Sequence, residues 1–372
     1  MQIYLYLFML GGLALSAIFN FRGVQNEQWY LLTVATLLAI GLYSSTYGIA
    51  IKDAKKHVRL IVKAITVGVL LKALIIGTLM SVLLKNPFGF VLGIIVAQID
   101  PLATAALMKN NRISRRAQSI LRAWSSFDDP ITVILSLYIP VVVAALTGGQ
   151  WRVIGGTMQE AGLAGYLLET GINLLFAGAI FVLWRLMKRH SKATNYVVVT
   201  LVALGMYGLL VGSLSIAVYY FWMLGIAVLG LFMRPPIEKA INHFLHWALS
   251  LAAVLLGILL INGANIWKGV ALGLASYSAQ VIVGLLLTRR LRRQDRLHIA
   301  FAQQNGITAI ILALLFESYY PGTVAIVGPA IIVVNTTHAL ANKLLDAYLV
   351  EDFSKLTVAY QMKRLKAHIG KI

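Results

Sequence analysis

The chain has 372 residues, 59% of them hydrophobic and 12% charged, with a mean hydropathy of +0.82. Soluble domains run at about 45–50% apolar and 25% charged, which excludes a water-soluble core as the main architecture. The lack of cysteine excludes disulfides and thiolate metal sites, and the net charge of +19 does not indicate nucleic acid, because the basic residues cluster in short loops between apolar runs.

Apolar runs occupy approximately 2–20, 28–50, 60–84, 88–108, 117–145, 161–184, 195–213, 216–233, 242–262, 268–288, 297–316 and 320–340. Each is close to or beyond the ~20 residues that cross ~30 Å of hydrocarbon as a helix. The first lacks a basic lead-in and is followed by many more spans, so it is expected to remain a transmembrane helix rather than a cleaved signal. The loops after spans 2, 4, 6, 8 and 10 hold Lys52, Lys55, Lys56 and Arg59, then Lys109, Arg112, Arg115, Arg116 and Arg122. They continue with Arg185, Lys188, Arg189 and Lys192, then Arg234 and Lys239, and finally Arg289, Arg290, Arg292, Arg293 and Arg296. The alternate loops hold only Arg22, Lys85, Arg152 and Lys268. Positive charge gathers on the cytoplasmic side, which predicts twelve spans with both termini in the cytoplasm. Residues 1–342 then form the transmembrane domain, and 343–372 a short basic tail that can lie as an amphipathic helix at the inner surface.

Ionisable groups inside these spans are costly and mark functional sites or buried pairs. Lys72 lies inside span 3 and Glu169 about eight residues into span 6, and a pair between them is expected to offset both charges. In span 4, VLGIIVAQIDPLATAALM, Pro101 disfavours helix at Asp100. A helix broken at mid-membrane exposes backbone groups that face protein or a cavity. Asp100 then serves an ion pathway or caps a neighbouring broken end. Span 5 carries AWSSFDDPITVIL. Asp128 and Asp129 are splayed by ~100° on a helix, so one can face a cavity and the other a partner helix. Ser125 lies one turn before Asp129 and can add a hydroxyl oxygen. A carboxylate in that position holds either a proton or a cation, and mutual exclusion at one site suffices for exchange. A structural network is the alternative for both aspartates.

Span 11, LHIAFAQQNGITAIILALLF, contains Gln303, Gln304, Asn305 and Gly306 in a row, which predicts a second interrupted helix; a polar packing seam is the alternative. Spans 4 and 11 run in opposite directions, as in an inverted-topology repeat whose broken helices meet near the midplane. The fold class expected is therefore an all-α polytopic membrane protein with two interrupted crossing helices. His338, near the inner end of span 12, has no second ligand at metal spacing and reads as interfacial.

The segments AQIDPLATAALMKN, AWSSFDDPITVIL and RQDRLHIAFAQQNGITAIILALLF together resemble the monovalent cation:proton antiporter superfamily, which includes the prokaryotic sodium/proton exchangers. The resemblance implies a core domain, here around 60–184 and 268–342, that moves against a dimerisation domain. It implies that Asp129 binds the cation and the proton, with Asp128 in the family's Asn/Asp position and Ser125 as hydroxyl ligand. Asp100, Pro101, Ile99, Gln304, Asn305 and Gly306 would frame the crossing. The chain departs from the family pattern at three places. Ile99 replaces the Thr before Asp-Pro, Trp124 stands where the electroneutral branch has Glu, and Asn305 replaces an Arg. The electrogenic branch's Lys in span 10 is also missing, since no Lys or Arg falls between Lys268 and Arg289.

These readings predict a secondary antiporter, not an enzyme and without a cofactor, that exchanges Na⁺, K⁺ or Li⁺ for protons. The expected setting is a prokaryotic inner membrane, as a homodimer among anionic lipids, with no nucleic-acid partner. A cation channel or uniporter, or a transporter of another solute, is the alternative.

Overall fold

The computed structural model describes residues 2–49, 62–101, 104, 113–147, 162–190 and 196–369. Several expectations fall outside these residues: the basic groups Lys52, Lys55, Lys56, Arg59, Lys109, Arg112, Arg152 and Lys192, and most of span 4 beyond Pro101. In hydrocarbon a segment must satisfy its backbone internally, so apolar runs of this length fold as helices. In chain order these are α1 (Gln2–Phe19), α2 (Gln28–Tyr47), α3 (Val69–Leu84), α4 (Phe88–Val96), α5 (Arg115–Thr147), α6 (Gly162–His190), α7 (Tyr196–Tyr219), α8 (Met223–Phe232), α9 (Glu238–Leu260), α10 (Ile266–Leu287), α11 (Arg293–Ala300), α12 (Ile307–Tyr319) and α13 (Thr323–Ile369). Among the described residues there is no strand. Among the described residues seven helices are long and apolar enough to cross a membrane, and α8, α12 and most of α1 are shorter apolar helices. The chain is thus an all-α polytopic membrane protein.

The predicted spans map onto these helices in order, with span 11 divided into α11 and α12. Helix α12 is the centre of the molecule: every residue from Ala302 to Phe316 is buried. Around it, α2 packs against α8 and α9, while α10 packs against α3 and α13. Helix α1 lies along α9 with backbone in contact, because Gly12 and Gly257 carry no side chain; a Cβ at either would run into the facing main chain. Outward-facing residues of α1, α6 and α7, such as Ile18, Leu175 and Leu201, are apolar and exposed, as lipid contact requires.

Two prolines inside long helices explain two cross-helix bonds. A helical proline offers no N–H, so the carbonyl four residues earlier loses its partner. In α13, Pro329 orphans the Ala325 carbonyl, which accepts instead from Asn265 N–H at 2.8 Å at the start of α10. In α5, Pro130 orphans the Ser126 carbonyl beside the paired aspartates, and Ser45 Oγ of α2 donates to it at 3.0 Å. Helix α13 continues through position 342 without a break, over 47 residues or ~70 Å. The side chains after Tyr348, on which an amphipathic tail face depends, lie outside the described residues.

Candidate functional site

Two interrupted helices cross at the centre. Helix α4 ends at Val96, and the chain runs irregularly to Pro101, where helix resumes: Thr104 N–H returns to the Asp100 carbonyl at 3.1 Å. Proline suits that first position, because its missing N–H would have had no helical partner there. On the other strand of the crossing, α11 ends at Ala300 and α12 begins at Ile307. Asp100 N–H donates to the Gln304 carbonyl at 2.9 Å where the two breaks pass.

Each break frees backbone groups that buried amides and hydroxyls must satisfy. The Val96 carbonyl accepts from Ser276 Oγ at 2.8 Å and from Gln303 Nε2 at 2.9 Å. Gln303 Nε2 also reaches the Gln98 carbonyl at 3.0 Å. Gln280 Nε2 donates to the Ile299 carbonyl at 3.1 Å, and Asn342 Nδ2 to the Phe301 carbonyl at 3.0 Å. Asn335 of α13 acts as a surrogate peptide: its Oδ1 accepts Asn305 N–H and its Nδ2 donates to the Asn305 carbonyl, both at 3.1 Å. His338 is buried and its Nδ1 lies 3.1 Å from the Phe301 carbonyl, so it belongs to this packing rather than to the interface expected for it. The Asp100 carboxylate lies against Gly306 at the start of α12, so closely that a Cβ at Gly306 would overlap it. Its negative charge there faces the positive end of a helix.

The two adjacent aspartates occupy different environments. Asp128 is fully buried and accepts three hydrogen bonds at 3.0 Å: Lys72 Nζ and Ile99 N–H on Oδ2, and Trp124 Nε1 on Oδ1. Lys72 is equally buried, and its ammonium also sits 5.5 Å from the centre of the Trp124 ring. The pair expected between Lys72 and Glu169 is therefore not the one formed. Helix α3 packs on α4 and α10, whereas α6, which carries Glu169, packs on α7 and α8. Sequence gave no hint of which helices would be neighbours.

Asp129 lines a cavity of about 520 Å³. The cavity is walled by Ser44 and Ser45 of α2, by Asp100, Pro101 and Thr104 of the crossing, and by Ser125 and Ser126 of α5. Gln118, Arg122, Glu238 and Asn242 also line it, at the helix ends that carry basic loops. Ser125 Oγ and Thr104 Oγ1 are 3.0 Å apart, and each also has a main-chain carbonyl to donate to, Arg122 at 3.2 Å and Pro101 at 2.9 Å. The cavity floor is thus two carboxylates surrounded by hydroxyl oxygens. Around Asp129 that set suits a small hard cation or a proton.

The structure brings Asp129, Ser125, Asp100 and Pro101 to one cavity. Asp128 and Ile99 are placed behind it, and Gln304, Asn305 and Gly306 in the crossing. Missed by sequence reasoning were Lys72 as the partner of Asp128, Trp124 as its second donor, and Ser45 and Thr104 in the cavity with Asp129. For Ser45 a signal existed, since Pro130 guarantees an orphaned carbonyl next to Asp129.

A family model described as sodium/hydrogen exchanger, transmembrane, matches residues 2–345. The structure of the sodium proton antiporter MjNhaP1 from Methanocaldococcus jannaschii at pH 8 superposes with a TM-score of 0.62 at 18% identity, covering 91% of this chain and 92% of that one. At that identity the superposition speaks for the fold.

Proposed function

The chain belongs to the sodium/hydrogen exchanger family, and from that premise we propose that Asp129 is the single group on which cation and proton alternate. The protein is a multi-pass membrane antiporter that exchanges a monovalent cation for protons. The observation that carries the assignment to Asp129 is the division of labour between the two aspartates. Asp128 is committed to Lys72, Trp124 and the Ile99 N–H, whereas Asp129 opens to the cavity.

On this reading the cavity lies on the cytoplasmic side, since Arg122 and Glu238 at its wall belong to the basic-loop face. A cation entering from there meets the Asp129 carboxylate and the Ser125 hydroxyl. Protonation of Asp129 removes the charge that holds the cation, so one carboxylate cannot carry both. Alternating access follows if the elements around the crossing move against α1, α2, α8 and α9 and expose the same carboxylate to the other face. Lys72 and Asp128 travel together as a neutral unit that fixes α3, α5 and the crossing. Na⁺, K⁺ and Li⁺ are the candidate cargoes; a homodimer in a prokaryotic inner membrane, with anionic lipid at the basic face, is the proposed setting.

The test is collapse of a pH gradient in energised inside-out vesicles on addition of NaCl, KCl or LiCl. Wild-type protein should collapse it and Asp129→Asn should not, at equal membrane insertion. Cation flux that proceeds without any coupled proton movement would support a uniporter instead.

A further inference from the structure

Pro130 follows Asp129 in α5 and leaves the Ser126 carbonyl without its helical donor. Ser45 of α2 supplies the missing bond, with Oγ donating at 3.0 Å. A hydroxyl has one proton and two lone pairs, so this bond turns the oxygen's acceptor side away from the Ser126 carbonyl. Ser45 is buried and lines the same cavity as Asp129, which stands one helical turn along α5 from the carbonyl that Ser45 bonds. The bond to Ser126 thus holds a neutral oxygen, lone pairs available, at the wall of the acidic cavity.

We propose that Ser45 is a cation ligand contributed from α2, which completes the oxygen shell of a cation held by Asp129 and Ser125 of α5. This rests on the reading of Asp129 as the cation carrier. Neutral oxygens replace the hydration shell of small hard monovalent cations, and Ser45 adds one from α2 to those that α5 and the crossing supply. The ligand comes from a helix that is fastened elsewhere. Tyr43 Oη donates to the Met233 carbonyl at 2.6 Å and Tyr47 Oη to the Pro235 carbonyl at 2.6 Å. Arg234 Nη1 and Nη2 donate to the Ile49 and Thr46 carbonyls at 2.9 and 3.2 Å. These bonds tie the end of α2 to the α8–α9 connection. Any displacement of α5 relative to α2 therefore withdraws Ser45 from Asp129 and exposes the Ser126 carbonyl. Cation affinity on the cavity side is in this way linked to the position of α5.

The experiment measures cation-dependent exchange by purified protein in proteoliposomes, with Asp129→Asn as the background. Ser45→Ala should raise KM for Na⁺ or Li⁺ about tenfold while Vmax stays within about twofold, and should change the Na⁺/Li⁺ preference. Ser45→Cys covers the case in which the alanine variant fails to fold. It keeps a donor for the Ser126 carbonyl but replaces a hard oxygen with soft sulfur, in a chain that has no other cysteine. It should weaken Na⁺ about tenfold and Tl⁺ much less. A fall in Vmax with KM and the cation preferences unchanged would overturn the proposal, because it would confine Ser45 to the carbonyl bond. Loss of all exchange in wild-type protein would instead remove the antiport reading on which the proposal rests.

Discussion

Replacing Lys72 by methionine tests the buried pair most severely. The side chain keeps nearly the same length and loses its charge, so Asp128 is left with Trp124 Nε1 and Ile99 N–H as its donors. Both partners are fully buried, and removing one member of a buried pair costs about 3–5 kcal/mol, because the other charge is left uncompensated. Asp128→Asn should cost a comparable amount: the asparagine oxygen can still accept from Lys72 and Ile99 N–H, but the buried ammonium loses its counter-charge and the NH₂ group faces the Trp124 N–H. The double variant Lys72→Met/Asp128→Asn removes both charges and should recover most of the loss, since neutral replacements of buried pairs are often near-neutral in stability. In thermal unfolding of detergent-solubilised protein, each single change should lower the midpoint by roughly 4–6 °C, and the double change by much less. Heating a membrane protein is commonly irreversible, so scans must share one rate and one detergent. A double variant as unstable as the two single losses combined would refute the argument, because it would mean that the two side chains act independently.

Two further perturbations address the crossing. Gly306→Ala places a Cβ against the Asp100 carboxylate, so exchange should fall at least tenfold while other small substitutions outside the crossing leave it intact; vesicle assays at matched expression check this. Asn335→Leu leaves the Asn305 N–H and carbonyl unpaired, at ~1–3 kcal/mol for each group, and should lower the unfolding midpoint, whereas Asn335→Gln should do so by less if its amide can still reach.

Much of this architecture is written locally in the chain. Apolar run length and the alternation of basic loops give the order of spans, because both reflect the cost of placing polar groups in hydrocarbon. The interruptions in α4 and between α11 and α12 are visible in Asp100–Pro101 and in Gln303–Gly306, since proline, glycine and clustered amides destabilise a buried helix wherever it packs. The partners across helices are different in kind. Lys72 meets Asp128 rather than Glu169 because α3 lies on the α10 side of the bundle, which no local pattern encodes. Trp124, noted in the sequence as a departure from the Glu of the electroneutral branch, meets Asp128 as an N–H donor. Asn335 read as one polar residue among several near the end of a span, and its match to the Asn305 backbone depends on the register of two helices thirty residues apart in sequence. Ser45 lies between these cases: the need for a donor at Ser126 is local to Pro130, but the helix that meets it is not.

The central claim is that cation and proton compete for one carboxylate, and proton release on cation binding measures that most directly. Purified protein in a weakly buffered solution near neutral pH is mixed with NaCl, LiCl or KCl, with choline chloride as the control, and the pH change is recorded. Saturable proton release is expected with the transported cation, retained in Ser125→Thr and absent in Asp129→Asn. Undiminished release from Asp129→Asn would contradict the claim, and would place the exchanging group elsewhere in the protein.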